Sequence, residues 1–369
     1  MKQIQIPLGM KDTLLEDCLK KEQLKQRIEK VFTSYGYTEI ITPTIEFYQT
    51  YQQAFSQLDE QQLFKFIDQD GQILTLRMDM TVPIARVCAS KLSNSQPPYR
   101  IRYCSDVFKV RQAFAGKSSQ VTDCGVELIG LDSSMDLEVL SCAIDTMESL
   151  QVKGYQLEIG NSDYFKAACQ HVGLNSDVQV QLAQLIDNKS MVELKEYLLD
   201  LQLNQEAFDF FMALPLLNGN QEILDQALQV SFTQELKDEI LSLKELYQQL
   251  DTLGLSSHIL FDLGKVPHLD YYTGIIFEGF VDGVGHSVLS GGRYDTLLAS
   301  FGKDLPACGF SVKLDYLLDV VQVNHPKKIQ VAYPQEKELE AFKIARQLRE
   351  TENVVLVKDN EKKEIEVIR

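Results

Sequence analysis

Apolar residues recur at helical spacing in two long parts of the chain. Residues 14–35 carry them every three or four positions, and Gly36 follows where such a helix would end. Residues 163–254 show the same spacing with few β-branched pairs, as in "VQVQLAQLIDNKSMVELKEYLLDLQL". The pattern predicts a helix near the N-terminus and an all-helical insertion in the middle of the chain.

Segments with the β-branched residues and alternation typical of strands lie on both sides of this insertion. Before it we predict strands within 37–48, 99–110, 122–132 and 155–160, a strand, turn and short helix within 71–89, and a helix at 134–151. After it we predict strands within 258–264, 274–280 and 285–292, and a helix over 309–321. Strands on both sides of one helical block predict an α+β fold with a single, interrupted antiparallel sheet.

The same pattern divides the chain into parts. Residues 1–162 and 255–322 are predicted to be two halves of one core domain, and residues 163–254 the helical insertion. Residues 323–369 are predicted to form a short C-terminal tail of strand, helix and strand.

Composition narrows the classes of function. The 369 residues carry a net charge of -17, and a nucleic-acid backbone is bound through Lys and Arg, so generic nucleic-acid binding is disfavoured. The seven cysteines are dispersed without a CxxC pair, which predicts reduced thiols and no metal site. No apolar run approaches the ~20 residues that cross a bilayer. We therefore expect a soluble, cytoplasmic protein without membrane contacts.

No sequence signature indicates a cofactor. The glycine-rich phosphate-binding patterns GxGxxG and GxxxxGK[ST] are both missing from the sequence. We predict that the chain uses no cofactor.

Four clusters of polar residues fall on the predicted strands. Arg77, Asp79 and Thr81 alternate in "LRMDMT" and would share one face of a strand. The other clusters are Asp123 with Glu127, Asp270 with Tyr271 and Tyr272, and the segment "SGGRYD" at 290–295. Any single cluster is explained better by satisfied polar groups at a sheet edge. Together, carboxylates beside hydroxyls favour a ligand that carries an ammonium or an imidazole. Arg77 is either a pocket cation or the partner of Asp79.

Seven segments in a fixed order resemble the catalytic domain of histidyl-tRNA synthetases. They are "PLGMKD", "YGYTEIITPTIE", "LRMDMT", "VFKVRQAFAGKSSQVTDCGVELIG", "LDYYTGIIFE", "GGRYD" and "PACGFSVKLDYLL", and they extend over about residues 5–320. The resemblance implies a class II synthetase fold, in which an antiparallel sheet is flanked by helices. It also implies a dimer formed through the segment that ends at Pro43.

The resemblance implies a histidine-binding pocket. Asp79, Thr81 and Asp123 occupy the positions that hold the ligand ammonium in the family. Asp79 and Asp123 replace the family's glutamate and glutamine there, and both still accept hydrogen bonds. Glu127 matches the carboxylate that faces the imidazole, and Tyr272 matches the hydroxyl on its other side. The remaining residues implied at the pocket are Lys109, Asp270, Tyr271 and Tyr294.

Departures from the family pattern fall on the groups that handle ATP. Lys109 replaces the arginine that grips the α-phosphate, and Arg111 replaces an acidic residue near the adenylate. Pro267 stands where the family has its catalytic arginine, with His268 after it. Asp315 and Tyr316 stand where the third motif has a glutamate and an arginine. Because losing one preorganised cation costs on the order of 10²–10³ in rate, we predict no catalytic residues and no adenylation.

A histidine pocket without adenylation groups is similar to the regulatory subunits of ATP phosphoribosyltransferase. That resemblance implies assembly with a short-form catalytic subunit into an octamer, and a response to L-histidine. The tail is shorter than an anticodon-binding domain, so no tRNA binding is expected. Two alternatives stay open here: a divergent histidyl-tRNA synthetase or other amino-acid adenylating ligase, and a scaffolding pseudo-synthetase with an empty pocket.

Overall fold

The computed structural model describes residues 6–55, 58–111, 118–131, 134–266 and 272–369. The chain divides into two compact units, the first ending at Val321 and the second comprising Gln322–Arg369.

The first unit combines helices and strands along its whole length. Its helices are α1 (Leu15–Ser34), α2 (Tyr48–Ala54), α3 (Thr81–Ser90), α4 (Met135–Ser149), α5 (Ser162–His171), α6 (Ser176–Asp187), α7 (Met191–Asp200), α8 (Gln205–Ala213), α9 (Glu222–Val230) and α10 (Gln234–Thr252). Its strands are β1 (Thr38–Glu39), β2 (Ile45–Phe47), β3 (Lys65–Ile67), β4 (Ile73–Leu76), β5 (Tyr99–Phe108), β6 (Gln120–Ile129), β7 (Tyr155–Asn161), β8 (Asn218–Gly219), β9 (Ile259–Asp262), β10 (Ile275–Val281), β11 (Leu289–Arg293) and β12 (Ala307–Lys313).

The main sheet is mixed rather than purely antiparallel. Its strand order in the described residues is β1-β5-β6-β12-β11-β10-β7-β9-β8. The central pairs from β5 to β7 are antiparallel, whereas β1 runs parallel to β5 and β9 runs parallel to β7. The predicted single antiparallel sheet is therefore correct at the centre and wrong towards both edges. A separate small antiparallel sheet has the order β2-β4-β3.

Strand β12 corrects the prediction of a helix over 309–321. Phe310 and Val312 alternate with Ser311 and Lys313, and the strand lies between β6 and β11 in the middle of the sheet. Only a short 3-10 turn, Leu314–Tyr316, follows it. The apolar residues from Leu314 onwards have helical spacing, and that spacing hid the alternation before them.

The two faces of the sheet pack against different cores. Val126 and Leu128 of β6 belong to the core formed with α1 and α4. Val121 and Ile129 of the same strand belong to the core formed with α2 and α3. Because successive residues of a strand point to opposite faces, Asp123 and Glu127 lie on the α3 side.

The helical insertion is present as α5–α10. Buried residues of these helices, such as Tyr164 and Phe210, belong to the same apolar core as Phe261 and Phe277 of the sheet. The division into core domain, insertion and tail at the predicted boundaries stays a prediction.

Cys104 and Cys124 are directly opposed in the β5–β6 ladder and are joined by a disulfide bond. The prediction of seven reduced thiols is wrong for this pair, because antiparallel pairing makes neighbours of two cysteines that are 20 residues apart in the sequence. The other cysteines are free thiols.

The second unit contains β13 (Lys328–Tyr333), α11 (Glu338–Leu348), β14 (Asn353–Lys358) and β15 (Glu366–Ile368). Strands β13 and β14 are parallel and joined through α11, as the predicted strand–helix–strand order requires. The third strand, β15, pairs antiparallel with β13 and was not predicted. Among the described helices of the whole chain, none is long and apolar enough to cross a membrane.

Candidate functional site: a charged cavity on the central sheet

A cavity of about 180 Å³ lies on the α3 side of the main sheet. Side chains of β5, β6, β11 and β12, the turn before α3, and Tyr272 surround it. A single water molecule needs roughly 10–15 Å³ of such space. The cavity is therefore large enough for a molecule of several non-hydrogen atoms, such as a free amino acid. Within the described ranges, no group of three or more His, Cys, Asp or Glu side chains could hold a metal ion.

Glu127 is the buried carboxylate at the base of this cavity. It is 1% exposed and accepts a hydrogen bond of 2.8 Å from the Thr81 hydroxyl at Oε1. Its Oε2 accepts a short hydrogen bond from the Tyr294 hydroxyl. Burial raises the pKa of Glu127 to about 7, although both hydrogen bonds oppose this shift. The two neighbours fix the orientation of the carboxylate and leave it with remaining lone pairs for a ligand N–H.

Two glycines make room for the side chains of the cavity. Gly309 of β12 lies directly opposite Glu127, and a Cβ at Gly309 would overlap the Glu127 carboxylate. A Cβ at Gly292 of β11 would lie 2.8 Å from the Tyr272 ring. These strand positions therefore need glycine because a neighbouring side chain occupies the space above them.

Asp79 connects the cavity to the start of α3. Its Oδ1 accepts a hydrogen bond of 2.9 Å from the Val82 amide, as a capping side chain does at a helix N-terminus. Burial raises the pKa of Asp79 to about 6, while this hydrogen bond and the charge of Lys109 favour the ionised form.

Asp123 carries an unused hydrogen-bond acceptor. Its Oδ2 accepts from the Ser311 hydroxyl at 3.4 Å, whereas the buried Oδ1 has no hydrogen-bond partner among the described residues. Burial raises the pKa of Asp123, against the opposing effects of Lys313 and Lys109. A buried acceptor without a partner is costly, so this oxygen is suited to a ligand donor.

Three cations also line the cavity: Lys109, Arg111 and Lys313. Burial lowers the pKa of Lys109, and the positive charges of Arg111 and Lys313 lower it further. The buried Nε of Arg111 has no hydrogen-bond partner among the described residues. The cavity therefore presents carboxylates and cations side by side, as a zwitterionic ligand requires.

Most of the predicted pocket residues lie around this one cavity. They are Asp79, Thr81, Lys109, Asp123, Glu127, Tyr272 and Tyr294. Asp270 and Tyr271 lie outside the described residues, as do Pro267 and His268. Sequence reasoning missed Lys313 and Ser311, whereas Ser290 belongs to the predicted segment "SGGRYD". The alternation in "GFSVK" indicates a strand with Ser311 and Lys313 on one face. The helical spacing of the apolar residues that follow favours a helix instead, and the sequence therefore predicts one.

Arg77 has a structural role that neither sequence interpretation described. Its guanidinium donates to the carbonyl oxygens of Thr42 and Asp106, both at 2.8 Å, and the side chain is buried. Arg293 likewise has a structural role, since it pairs with Asp295 at 2.7 Å and with Asp136 at 3.3 Å.

The third-motif residues also make internal contacts. Asp315 forms an ion pair of 2.9 Å with Lys21 and accepts a hydrogen bond from the Thr122 amide. The Tyr316 ring packs edge-on against His286, with ring centroids 4.1 Å apart.

Comparison with known proteins identifies the family. A family model for histidyl-tRNA synthetase matches residues 9–317. The ATP phosphoribosyltransferase regulatory subunit of Clostridium kluyveri is 34% identical over 354 residues, which are 94% of this chain and 90% of the relative. The chain belongs to the ATP phosphoribosyltransferase regulatory subunits of the histidyl-tRNA synthetase family.

Further comparisons agree with this family. The regulatory subunit of Bacillus thuringiensis is 34% identical over 319 residues, which are 86% of this chain and 76% of the relative. A crystal structure from Bacillus halodurans, of an ATP phosphoribosyltransferase regulatory subunit/histidyl-tRNA synthetase, matches with a TM-score of 0.88 at 33% identity. It covers 99% of this chain and 95% of that chain.

The predicted class II synthetase fold is confirmed. A histidyl-tRNA synthetase from a Nostoc species matches with a TM-score of 0.80 at 21% identity, covering 99% of this chain and 88% of that chain, which supports the fold alone. The regulatory-subunit relatives are named for a non-catalytic role, and that naming supports the prediction that this regulatory subunit is not itself an enzyme.

Proposed function

We propose that this chain is a non-catalytic regulatory subunit of ATP phosphoribosyltransferase, the first enzyme of histidine biosynthesis. It assembles with a short-form catalytic subunit, is required for the activity of that subunit, and transmits feedback by L-histidine. The observation that carries the proposal is the cavity itself. The carboxylates of Glu127 and Asp123 are held inside it next to Lys109, in a chain whose relatives are named regulatory subunits.

The cavity offers a partner for each polar group of L-histidine. Glu127 is oriented by Thr81 and Tyr294 and can accept the imidazole N–H in a charge-assisted hydrogen bond. Asp79 and the unpartnered oxygen of Asp123 can accept from the α-ammonium. Asp270 and Tyr271 belong to the proposed pocket through the resemblance alone.

The same cavity is poorly equipped to activate ATP. Lys109 cannot make the bidentate contact of an arginine with a phosphate. Asp315 is paired with Lys21, and Tyr316 carries no positive charge. We therefore propose that histidine binds without being adenylated, and that no metal or cofactor takes part.

The proposed complex contains two kinds of contact between chains. We propose that this chain dimerises through the synthetase-type interface that includes the segment ending at Pro43, and that the complex with the catalytic subunit is an octamer in the cytoplasm. The small sheet next to this segment has an exposed apolar face formed by Ile45, Phe47 and Phe66, which supports the self-dimer. The net charge of -17 supports a protein that does not bind tRNA.

Reconstitution tests the function directly. The chain is mixed with a short-form catalytic subunit, and phosphoribosyltransferase activity is measured with and without L-histidine. We expect activity only in the mixture, inhibition by histidine, and a weaker response when Glu127→Ala replaces the wild-type chain. Because a ligand shifts an equilibrium only through its different affinities for the two states, the variant should respond at higher histidine concentrations.

Three outcomes would contradict the proposal. Full activity of the catalytic subunit alone would remove the regulatory role. An unchanged histidine response of Glu127→Ala would favour a scaffold with an empty pocket. Rapid histidine-dependent exchange between ATP and pyrophosphate would establish an adenylating enzyme instead.

A further inference from the structure

Three cations meet in the cavity beside the carboxylates of Asp79 and Asp123. Lys109, Arg111 and Lys313 line one cavity, and their mutual repulsion contributes to the lowered pKa of Lys109 after burial. The buried Nε of Arg111 has no hydrogen-bond partner in the described part of the chain. A buried donor without a partner is costly, and three cations outnumber the two neighbouring carboxylates, so an anion between these side chains would be stabilised.

Of the three cations, Lys313 is the one whose strand position is paired with a carboxylate of the cavity. It lies on β12 directly opposite Asp123 of β6, so both side chains project from the same face of the sheet. Its ammonium donates a hydrogen bond of 2.8 Å to the Ser290 hydroxyl on β11. An ammonium has three donors, and the serine uses one of them while holding the group in place.

We infer that Lys313, held by Ser290, binds the α-carboxylate of the amino acid in this cavity and makes the site specific for a free amino acid. The inference rests on the proposed function and adds a carboxylate subsite to it. The ammonium and carboxylate of an amino acid are attached to one carbon, so their partners must be adjacent. Asp123 and Lys313 are a directly opposed pair of opposite charge, about 5 Å apart between Cα atoms.

The surrounding charges favour a carboxylate over a phosphate in this subsite. Asp79 and Asp123 line the same cavity and would repel a phosphate dianion. An amino acid places its own ammonium next to these carboxylates and only one negative charge next to Lys313. The subsite therefore fits a zwitterion.

Titration calorimetry with matched ligands tests the assignment. The full-length chain is titrated with L-histidine and with L-histidinol, in which a hydroxymethyl group replaces the carboxylate. We expect the wild type to prefer L-histidine by about 10- to 100-fold, the range of one hydrogen bond between charged groups. Lys313→Met should lose most of this preference while binding histidinol within about threefold of wild type, and Lys313→Arg should restore part of it.

Further variants keep the test decisive. Ser290→Ala should lower the preference by a smaller factor, because the charge stays but its hydrogen-bonded support is lost. Lys195→Met, an exposed lysine on α7, is the matched control and should bind both ligands as the wild type does. Unchanged melting temperatures show that each variant is folded.

The outcomes separate this inference from the function on which it rests. If the wild type binds L-histidine and Lys313→Met keeps the full preference over histidinol, the subsite assignment is overturned and the proposed function stands. If Lys109→Met removes the preference for L-histidine over histidinol and Lys313→Met does not, Lys109 binds the carboxylate and the assignment to Lys313 is overturned. If the wild type binds no histidine, either alone or with its catalytic partner, both the ligand of the proposed function and this subsite are contradicted.

Discussion

Gly309 lies directly opposite Glu127 in the ladder between β12 and β6, and the Glu127 carboxylate occupies the space where a Cβ of residue 309 would be. The carbonyl oxygen of Val126 borders the same space. A buried carboxylate on a central strand is thus accommodated by the missing side chain of its neighbour. The orientation of Glu127 towards Thr81 and Tyr294 depends on this arrangement.

Replacing Gly309 should therefore weaken ligand binding more than it destabilises the sheet. Gly309→Ala forces the Glu127 carboxylate away from its two hydroxyl partners, and overpacking of this kind costs about 1–3 kcal/mol of unfolding free energy. We expect histidine affinity to fall by at least about 10-fold, because the imidazole partner is displaced. Calorimetry measures the affinity, and urea unfolding measures the stability.

Gly285→Ala is the control for this experiment. Nothing lies within 4 Å of a Cβ at Gly285, so this change should alter stability by less than about 0.5 kcal/mol and leave binding unchanged. Wild-type histidine affinity in Gly309→Ala would show that Glu127 does not need its observed orientation.

The sequence predicted the parts of the fold in which periodicity is long and unambiguous. Helix α1 and the helices of the insertion each repeat their apolar spacing over several turns, and most of β5 alternates between buried and partly buried residues. Strand β12 has only seven residues, and its alternation leads directly into apolar residues at helical spacing from Leu314 onwards, which favours a helix. The two strands with parallel partners, β1 and β9, have two and four residues, and sequence patterns this short do not indicate how a strand pairs.

The site was predictable only as far as family motifs or polar clusters marked it. Asp123 and Glu127 stand out as carboxylates within an apolar strand. Lys313 does not, because its position next to Asp123 follows from strand pairing across the sheet. Arg77 shows the opposite case: it stands next to Asp79 in a motif, yet its guanidinium binds backbone carbonyls away from the cavity.

The raised pKa of Glu127 predicts a pH dependence of stability. Burial raises the pKa from 4.5 to about 7, so the folded chain binds a proton that the unfolded chain releases. This contribution to stability is complete below pH 4.5 and is lost as the pH rises towards 7. The unfolding free energy of the wild type should fall across this window by up to about 3 kcal/mol more than that of Glu127→Gln.

Urea unfolding at pH 5, 6, 7 and 8 checks this difference without histidine present. Asp79 titrates in part of the same window, since its pKa is raised to about 6, but it does so in both proteins. Glu193→Gln, at an exposed position on α7, should follow the wild-type curve. Parallel curves for wild type and Glu127→Gln would mean that Glu127 is ionised at pH 5.

Lys166 links the helical insertion to the wall of the cavity. Its ammonium donates a short hydrogen bond to the carbonyl oxygen of Tyr272, and the Ser162 hydroxyl donates to the same oxygen at 3.2 Å. Both donors lie on α5. Lys166→Met should release the Tyr272 backbone and weaken the binding of histidine and histidinol alike, by about 3- to 10-fold.

Calorimetry with both ligands distinguishes this positioning role from a direct contact. Lys195→Met provides an exposed lysine of the same insertion as a control. An affinity equal to wild type would show that Ser162 alone suffices. A loss confined to histidine would instead indicate that Lys166 contacts the carboxylate.

The small sheet predicts where two copies of the chain meet. Phe47 and Phe66 both pair with Leu74, on the two sides of β4, and therefore lie on one face of that sheet. They are 52% and 39% exposed, which leaves an apolar face open to solvent in a single chain. If this face forms the dimer, a charge on it should separate the copies, because the carboxylate would be desolvated without a partner.

Phe66→Glu should therefore convert a dimer into a monomer in sedimentation velocity measurements of the chain without its catalytic partner. Ile67→Glu is the matched control, since Ile67 is the next residue of β3, is 70% exposed and lies on the opposite face. The control should stay dimeric, because its carboxylate remains in water. A dimeric Phe66→Glu variant would place the interface elsewhere, whereas dissociation of both variants would indicate that the whole sheet, rather than one face, is buried between the copies.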